Sequence, residues 1–322
     1  MQVEQILSEL EEVKQEIFRR KVKNFQIAEH PSRFKGSGFE IHTTNQWRLG
    51  EPMTNIDWNL SLRTWPKEIY KTDRVETKNA PTILVADISP SVFVEIDRQA
   101  NRFKLLLHLV GALGLAANYF HDPVGILAFS EGVEFYLRPK PGRGQIFYGA
   151  GLLLEKAEEF DCFVRLGHRF KDRYPSAGGR QGGGINSALE MLAGTLRRRQ
   201  CSIVLLSDFT DAINGESEID FKIIETLSSV HNWNVVAIFL DDPLEFDWKN
   251  SWGIVSVRNS ETGRIERIKA SQARQIKEKF CQEREVLRRR FGQVGVDSTV
   301  LSFGDHFNQL AQFLSQRSAR LF

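Results

Sequence analysis

A chain of 322 residues with 43 Lys and Arg against 41 Asp and Glu carries a formal charge of +2. That balance leaves no overall field to draw it to nucleic acid or to an anionic membrane. With 41% hydrophobic residues the chain can fill one large core with an appended subdomain.

Residues 2–23 place Val3, Ile6, Leu7, Leu10, Val13 and Ile17 at helical spacing among Glu, Gln and Lys. The spacing predicts an N-terminal amphipathic helix, assigned to 1–24, which either docks on its own domain or is offered to a partner. The opening residues carry no signal-peptide core, so the protein is expected in the cytoplasm. Residues 25–81 are rich in Gly, Trp, Thr and Asn and include Trp47, Trp58 and Trp65. They predict a small β-rich subdomain.

From 82 to 322 apolar strands alternate with helices. Strand 82–87 precedes a helix over 100–120, and strand 124–129 precedes a hairpin partner over 133–137. A helix over 146–160 is followed by a polar, Gly-rich stretch over 161–182, expected to be loop. A helix over 186–198, strand 202–207, a helix over 221–230 and strand 235–240 come next. A β-like pair over 253–257 and 264–268, a helix over 271–291, strand 297–302 and a helix over 305–316 close the chain. This order predicts an α/β domain with a doubly wound, mostly parallel sheet covered on both faces. The longest apolar stretch, Leu105–Tyr119, contains His108 and is too short to span a bilayer. Cys162, Cys201 and Cys281 are scattered and odd in number, as expected of reduced thiols.

Two strands end in chemistry. The first runs Thr82-Ile83-Leu84-Val85-Ala86 into Asp87-Ile88-Ser89-Pro90-Ser91, and the second ends Ser207-Asp208-Phe209-Thr210-Asp211. Carboxylate and hydroxyl oxygens with room left for water suit Mg²⁺, and open α/β sheets bind ligands beyond the carboxyl ends of their strands. If the two strands are neighbours, Asp87 and Asp208 converge. The same residues could instead cap the following helices or make Asx-turns, without metal. Gly178-Gly179 and Gly182-Gly183-Gly184 lack the Lys-Ser/Thr of a phosphate-binding loop. The basic helix ending Arg288-Arg289-Arg290 is interleaved with Glu278, Glu283 and Glu285, which argues for a solvated face rather than nucleic acid.

The Asp87-x-Ser89-x-Ser91 strand end, with Asp208 after a later strand, resembles the von Willebrand factor A domain and its metal-ion-dependent adhesion site. The resemblance implies Mg²⁺ or Mn²⁺ held by Asp87, Ser89, Ser91 and Asp208, with a partner's carboxylate completing the shell. It also implies a Thr ligand where Gly183 stands, and Asn186 or Ser187 is the nearest substitute. The residues before the strand narrow the likeness: Gly36-x-Gly38-x-Glu40, Trp47, Gly50-Glu51, Ile56-Asp57-Trp58 and Ser61-Leu62-Arg63. Together with the strand they resemble the bacterial family called domain of unknown function 58, over roughly residues 30–315. Asn45 and Thr54 stand where members usually carry Arg, so part of that family's charge is missing here. Read from the residues alone, Trp58 suits an anchor on the sheet, and Asp57 could pair with Arg63. Glu40, Asp57, Trp58 and Arg63 are thus either a structural motif or a partner-docking surface.

The family likeness implies a non-enzymatic interaction module, an adaptor or co-chaperone for a MoxR-type AAA+ ATPase and a client protein. Two other functions stay open. One is a metal-free scaffold using the motif subdomain. The other is a metal-dependent hydrolase with Asp211 as its base.

Overall fold

In a computed structural model of the chain, the described residues are 11–13, 15, 35–48, 53, 56–64, 68–75, 80–93, 101–165, 184–196, 201–229, 233–245, 253–258 and 265–320. Packing divides the chain into a small unit, residues 29–79, and a large one, residues 1–28 with 80–322.

In the small unit, β1 (Lys35–Gln46), α1 (Trp58–Thr64) and β2 (Tyr70–Val75) follow in order. β1 and β2 pair antiparallel, in regular register from Gln46 opposite Tyr70 to Thr43 opposite Asp73, with shifts between Thr43 and Ile41 and between Glu40 and Lys35. α1 is short, so local hydrogen bonds define it. Asp57 Oδ1 accepts from Leu60 N at 3.0 Å, an N-terminal cap. Ser61 Oγ accepts from Tyr70 N at 2.9 Å and donates to Tyr70 O at 3.2 Å, which fastens the helix to β2.

The large unit contains β3 (Thr82–Asp87), α2 (Arg102–Tyr119), β4 (Val124–Phe129), β5 (Val133–Lys140), α3 (Arg143–Arg165), α4 (Gly184–Thr195) and β6 (Ser202–Ser207). It continues through α5 (Thr210–Ile213), α6 (Phe221–Ser229), β7 (Asn234–Asp241), β8 (Ile254–Arg258), β9 (Ile265–Lys269), α7 (Ala273–Gln293), β10 (Asp297–Ser302) and α8 (His306–Arg320). Six strands form one sheet in the order β10-β7-β6-β3-β4-β5. All pairs are parallel except β4 with β5. β8 and β9 form a separate antiparallel pair.

β3, β4 and β6 are buried at every residue. They read as unbroken apolar runs because helices cover both faces. The two-residue period of a strand then sorts side chains between two cores. Leu84 and Ala86 join α2, α3 and α8 through Leu109, Leu113, Ile146 and Leu310. Ile83 and Val85 join α4, α6 and α7 through Leu189, Leu192, Ile224 and Phe291. The mixed α/β class expected from the alternation is the class observed.

The long apolar stretch is α2, buried nearly all round. Among the described residues no helix is long and apolar enough to cross a membrane. Glu11, Glu12, Val13 and Gln15 are helical, and Val13, 1% exposed, packs into the core beside α2 and α3. At that position the N-terminal stripe is docked on its own unit. Val3, Ile6, Leu7, Leu10 and Ile17 lie outside the described residues. Cys201 is buried and Cys281 half-buried, both as free thiols.

α2 and α8 meet at a histidine pair, with His108 Nδ1 and His306 Nε2 3.1 Å apart. Phe303 and Phe307 surround it, their ring centroids 5.3 and 5.8 Å from that of His108. Burial, then the charges of His306 and Lys104, hold His108 down to about 3. An unfolded chain takes this proton near pH 6.5 and the folded chain does not. Stability from this group is therefore present above about pH 6.5 and lost as pH falls toward 3, at up to roughly 1.4 kcal/mol per pH unit. Asp122, raised to about 7 by burial, acts with the opposite sign between about pH 4 and 7. The difference between wild type and His108→Phe isolates the histidine. Wild type is expected to lose stability relative to the variant as urea melts move from pH 6.5 to 4.5. A pH-independent difference would contradict this account.

Candidate metal crevice at the carboxyl end of the sheet

Parallel strands bring their carboxyl ends to one edge. β3 and β6 are neighbours with Ala86 opposite Leu206, so Asp87 comes level with Ser207 and one residue from Asp208. Asp87, Ser89, Ser91 and Asp208 are each at most 9% exposed. Asp87 Oδ1 accepts from Ser89 N at 2.8 Å, and Oδ2 accepts from Ser207 Oγ. Ser89 Oγ and Ser91 Oγ are 2.9 Å apart. Burial first, and then the Asp208 charge, push the Asp87 carboxyl up to about 7 against the pull of hydrogen bonds from Ser207 and Ser89.

The second loop is shaped by strain and packing. Phe209 has φ 55°, in the left-handed region that side chains other than glycine resist. Its ring is held against Phe239 and Phe291, with centroids 4.4 and 5.5 Å away. Its backbone N donates to Ser207 Oγ at 2.8 Å. Asp208 Oδ1 accepts from Thr210 N at 3.0 Å. Asp87 and Asp208 therefore do make the Asx-type turns that the alternative reading allowed, at neighbouring strand ends.

The sequence reading missed Arg102, the first residue of α2. Its side chain is 4% exposed and donates through Nη1 to Asp208 Oδ2 and to Ser91 O, each at 3.2 Å. Nη2 pairs with Glu245. Burial would lower the Arg102 pKa, but Asp208, Glu245 and Asp242 together raise it. Asp242 Oδ1 accepts from Leu244 N at 2.9 Å, while its buried Oδ2 has no hydrogen-bond partner. A signal was available. A positive charge in the first turn opposes the helix dipole, and α2 carries two there, Arg102 and Lys104, with no acid in that turn, so carboxylates are called for from elsewhere.

The third expected segment reaches the same edge. A Cβ on Gly184 would lie 1.7 Å from Ser130 O, so α4 begins tight against the turn after β4. Gly183, where the Thr ligand was expected, lies outside the described residues. Asn186 does not replace it. Its amide donates to Glu218 O at 2.8 Å and accepts from Asp220 N at 3.0 Å, which uses both ends. Ser187 is exposed, on a groove shared with Glu190 and Glu218.

In the small unit Trp58 is 56% exposed. Arg63 is exposed too, and Asp57 caps α1 instead of pairing with it. A seven-residue helix two turns long has one face on β2, through Ser61, and turns Trp58 outward. Glu40 sits in β1 opposite Val75, with its side chain outside the described residues.

Among the described residues no group of three or more His, Cys, Asp or Glu side chains is placed to hold a metal ion. Any ion here would depend on the serine hydroxyls. Their 2.9 Å spacing fits two adjacent ligands of an octahedral ion, whose bonds of about 2.1 Å put neighbouring oxygens about 3 Å apart. The charge of Asp208 acts on Asp87, and Arg102 already pairs with Asp208. The donor set fits Mg²⁺ or Mn²⁺, with hard oxygens from Ser89 and Ser91, Asp208 beside them and Asp87 orienting the turn.

No curated protein sequence matches the chain. Two solved structures are similar at low level. One is the conserved hypothetical protein BatB from Bacteroides thetaiotaomicron, with 13% identity and a TM-score of 0.42, covering 74% of this chain and 99% of that one. The other is an uncharacterized membrane spanning protein from Vibrio fischeri, with the same identity and coverage and a TM-score of 0.21. Neither score is high enough to argue from. The family described as protein of unknown function DUF58 matches residues 44–290, which takes in Trp47 to Arg63, the Asp87 turn and the Asp208 turn but not Gly36, Gly38 and Glu40, and the chain belongs to that family.

Proposed function

We propose that this protein is a non-catalytic interaction module of the von Willebrand A type, whose crevice takes one Mg²⁺ or Mn²⁺ and uses it to engage an acidic group on a protein partner. The observation that carries the reading is the pair of hydroxyls of Ser89 and Ser91, hydrogen-bonded at 2.9 Å in the loop that Asp87 closes, with Asp208 at the neighbouring strand end. Ser89 and Ser91 would hold the ion, with Asp208 next to it. Asp87 would set the turn through its bond from Ser89 N. A bound ion supplies a concentrated positive charge to which a partner's carboxylate can attach. The family resemblance implies a MoxR-type AAA+ ATPase and its client as partners.

The test is thermal unfolding of wild type and Asp87→Ala in EDTA, Mg²⁺ and Mn²⁺. An ion that binds only the folded chain stabilises it by about 2.7 kcal/mol at a hundredfold excess over its dissociation constant. That is a rise in Tm on the order of 5 °C for a chain of this size. The rise is expected in wild type and not in Asp87→Ala, and capture of the ATPase should be lost with it. No rise in wild type would sink the metal-bridged reading.

A second reading has its own observation. Trp58 and Leu62, four residues apart on α1, are 56% and 68% exposed. Residues at this spacing share a helix face, so the small unit offers an apolar contact that needs no metal. Retained capture by Asp87→Ala, with loss in Trp58→Ala, would favour it.

A further inference from the structure

We propose that Arg102 is the built-in counter-ion of this crevice, and that its guanidinium and a divalent ion are alternative partners of Asp208. The inference rests on the metal reading above and adds to it what controls the ion.

Arg102 occupies a costly place. It is buried, and it sits in the first turn of α2, where the helix dipole disfavours positive charge. What holds it there is acid from two later segments of the chain. Asp208 follows β6, Glu245 and Asp242 follow β7, and all three act on its charge. Its Nη1 also reaches Ser91 O, inside the loop that carries both crevice hydroxyls. Arg102 therefore touches both halves of the candidate site.

Geometry makes the two cations competitors. Nη1 bonds Asp208 Oδ2 at 3.2 Å, and Oδ1 is engaged by Thr210 N. An ion bonded to Oδ2 at about 2.1 Å would sit no further than about 5 Å from Nη1. At that distance, away from water, the repulsion between a divalent ion and a guanidinium is far above thermal energy. Among the described residues no separate cage of three acids exists for the ion to use instead. Filling the crevice then requires Arg102 to give up Asp208, and it keeps Glu245 and Ser91 O as partners. The chain can thus hold its crevice together without metal, at the expense of metal affinity.

The test compares Mn²⁺ binding by wild type and Arg102→Gln, read from the loss of the free-ion electron paramagnetic resonance signal on titrating the full chain. The variant is expected to bind at least tenfold more tightly and to show a larger Mn²⁺-induced rise in Tm. Binding by the variant that equals or falls below a measurable wild-type affinity would overturn the proposal alone, since Arg102 would then orient the site and not compete for it. No binding by either chain would overturn the metal reading and this proposal together. If Arg102→Gln fails to fold in EDTA, its circular dichroism is followed on adding Mn²⁺. Recovery of the native spectrum supports the exchange of one cation for the other. Failure to recover, with wild type binding Mn²⁺, rejects it.

Discussion

Phe209→Ala is expected to destabilise the protein by about 3–5 kcal/mol, as loss of a fully packed aromatic ring does. Phe209 is 4% exposed and completes a cluster with Phe239 and Phe291. The same ring holds a backbone at φ 55° that an alanine resists. Phe209→Gly removes the ring as well but adopts that φ without strain. Glycine normally costs stability relative to alanine, and here the order should reverse by about 1 kcal/mol. Urea midpoints of the two variants decide the matter. A glycine variant less stable than the alanine variant would mean that the left-handed turn is not imposed by packing. Because this turn presents Asp208, both variants should also lose the Mn²⁺-dependent rise in Tm.

Gly184→Ala is expected to cost about 3 kcal/mol, at the upper end of what overpacking does. The new Cβ would meet Ser130 O at 1.7 Å, and that atom is main chain, which no side-chain rotation can clear. α4 would have to move away from the turn after β4. A control lies on the same helix. Gly194 has nothing within 4 Å of its would-be Cβ, so Gly194→Ala should raise stability by roughly 0.5–1 kcal/mol through helix propensity. Equal effects at the two positions would remove the steric explanation.

The strands of the large unit were readable because they are short apolar runs bounded by polar residues. Those at 82–87, 124–129, 202–207 and 297–302 have the expected limits to the residue. Boundaries moved where burial is partial. β5 runs on to Lys140, past Pro139, on an edge strand that needs no further hydrogen-bond donor. α3 continues to Arg165, into residues expected to be loop, because its polar outer face gives no sign of where it stops. In the small unit, the large apolar side chain of Trp58 suggests an anchor, and its 56% exposure was not legible in the sequence. α1 is held by main-chain and hydroxyl hydrogen bonds from Asp57, Ser61 and Thr64, so Trp58 is free to face outward.

The order of strands and helices, the α/β class and the two strand ends at Asp87 and Asp208 follow from local periodicity and residue type. These are properties of neighbouring residues, and the amino-acid sequence by itself determined them. The crevice's cation was decided by tertiary structure. Arg102 lies 106 positions from Asp208 and 143 from Glu245, and nothing local couples such residues. Only the parallel sheet, by bringing β3, β6 and β7 to one edge above the start of α2, puts a guanidinium among those acids. Electrostatic partners are set by distance in space, and that distance exists only once the sheet has formed.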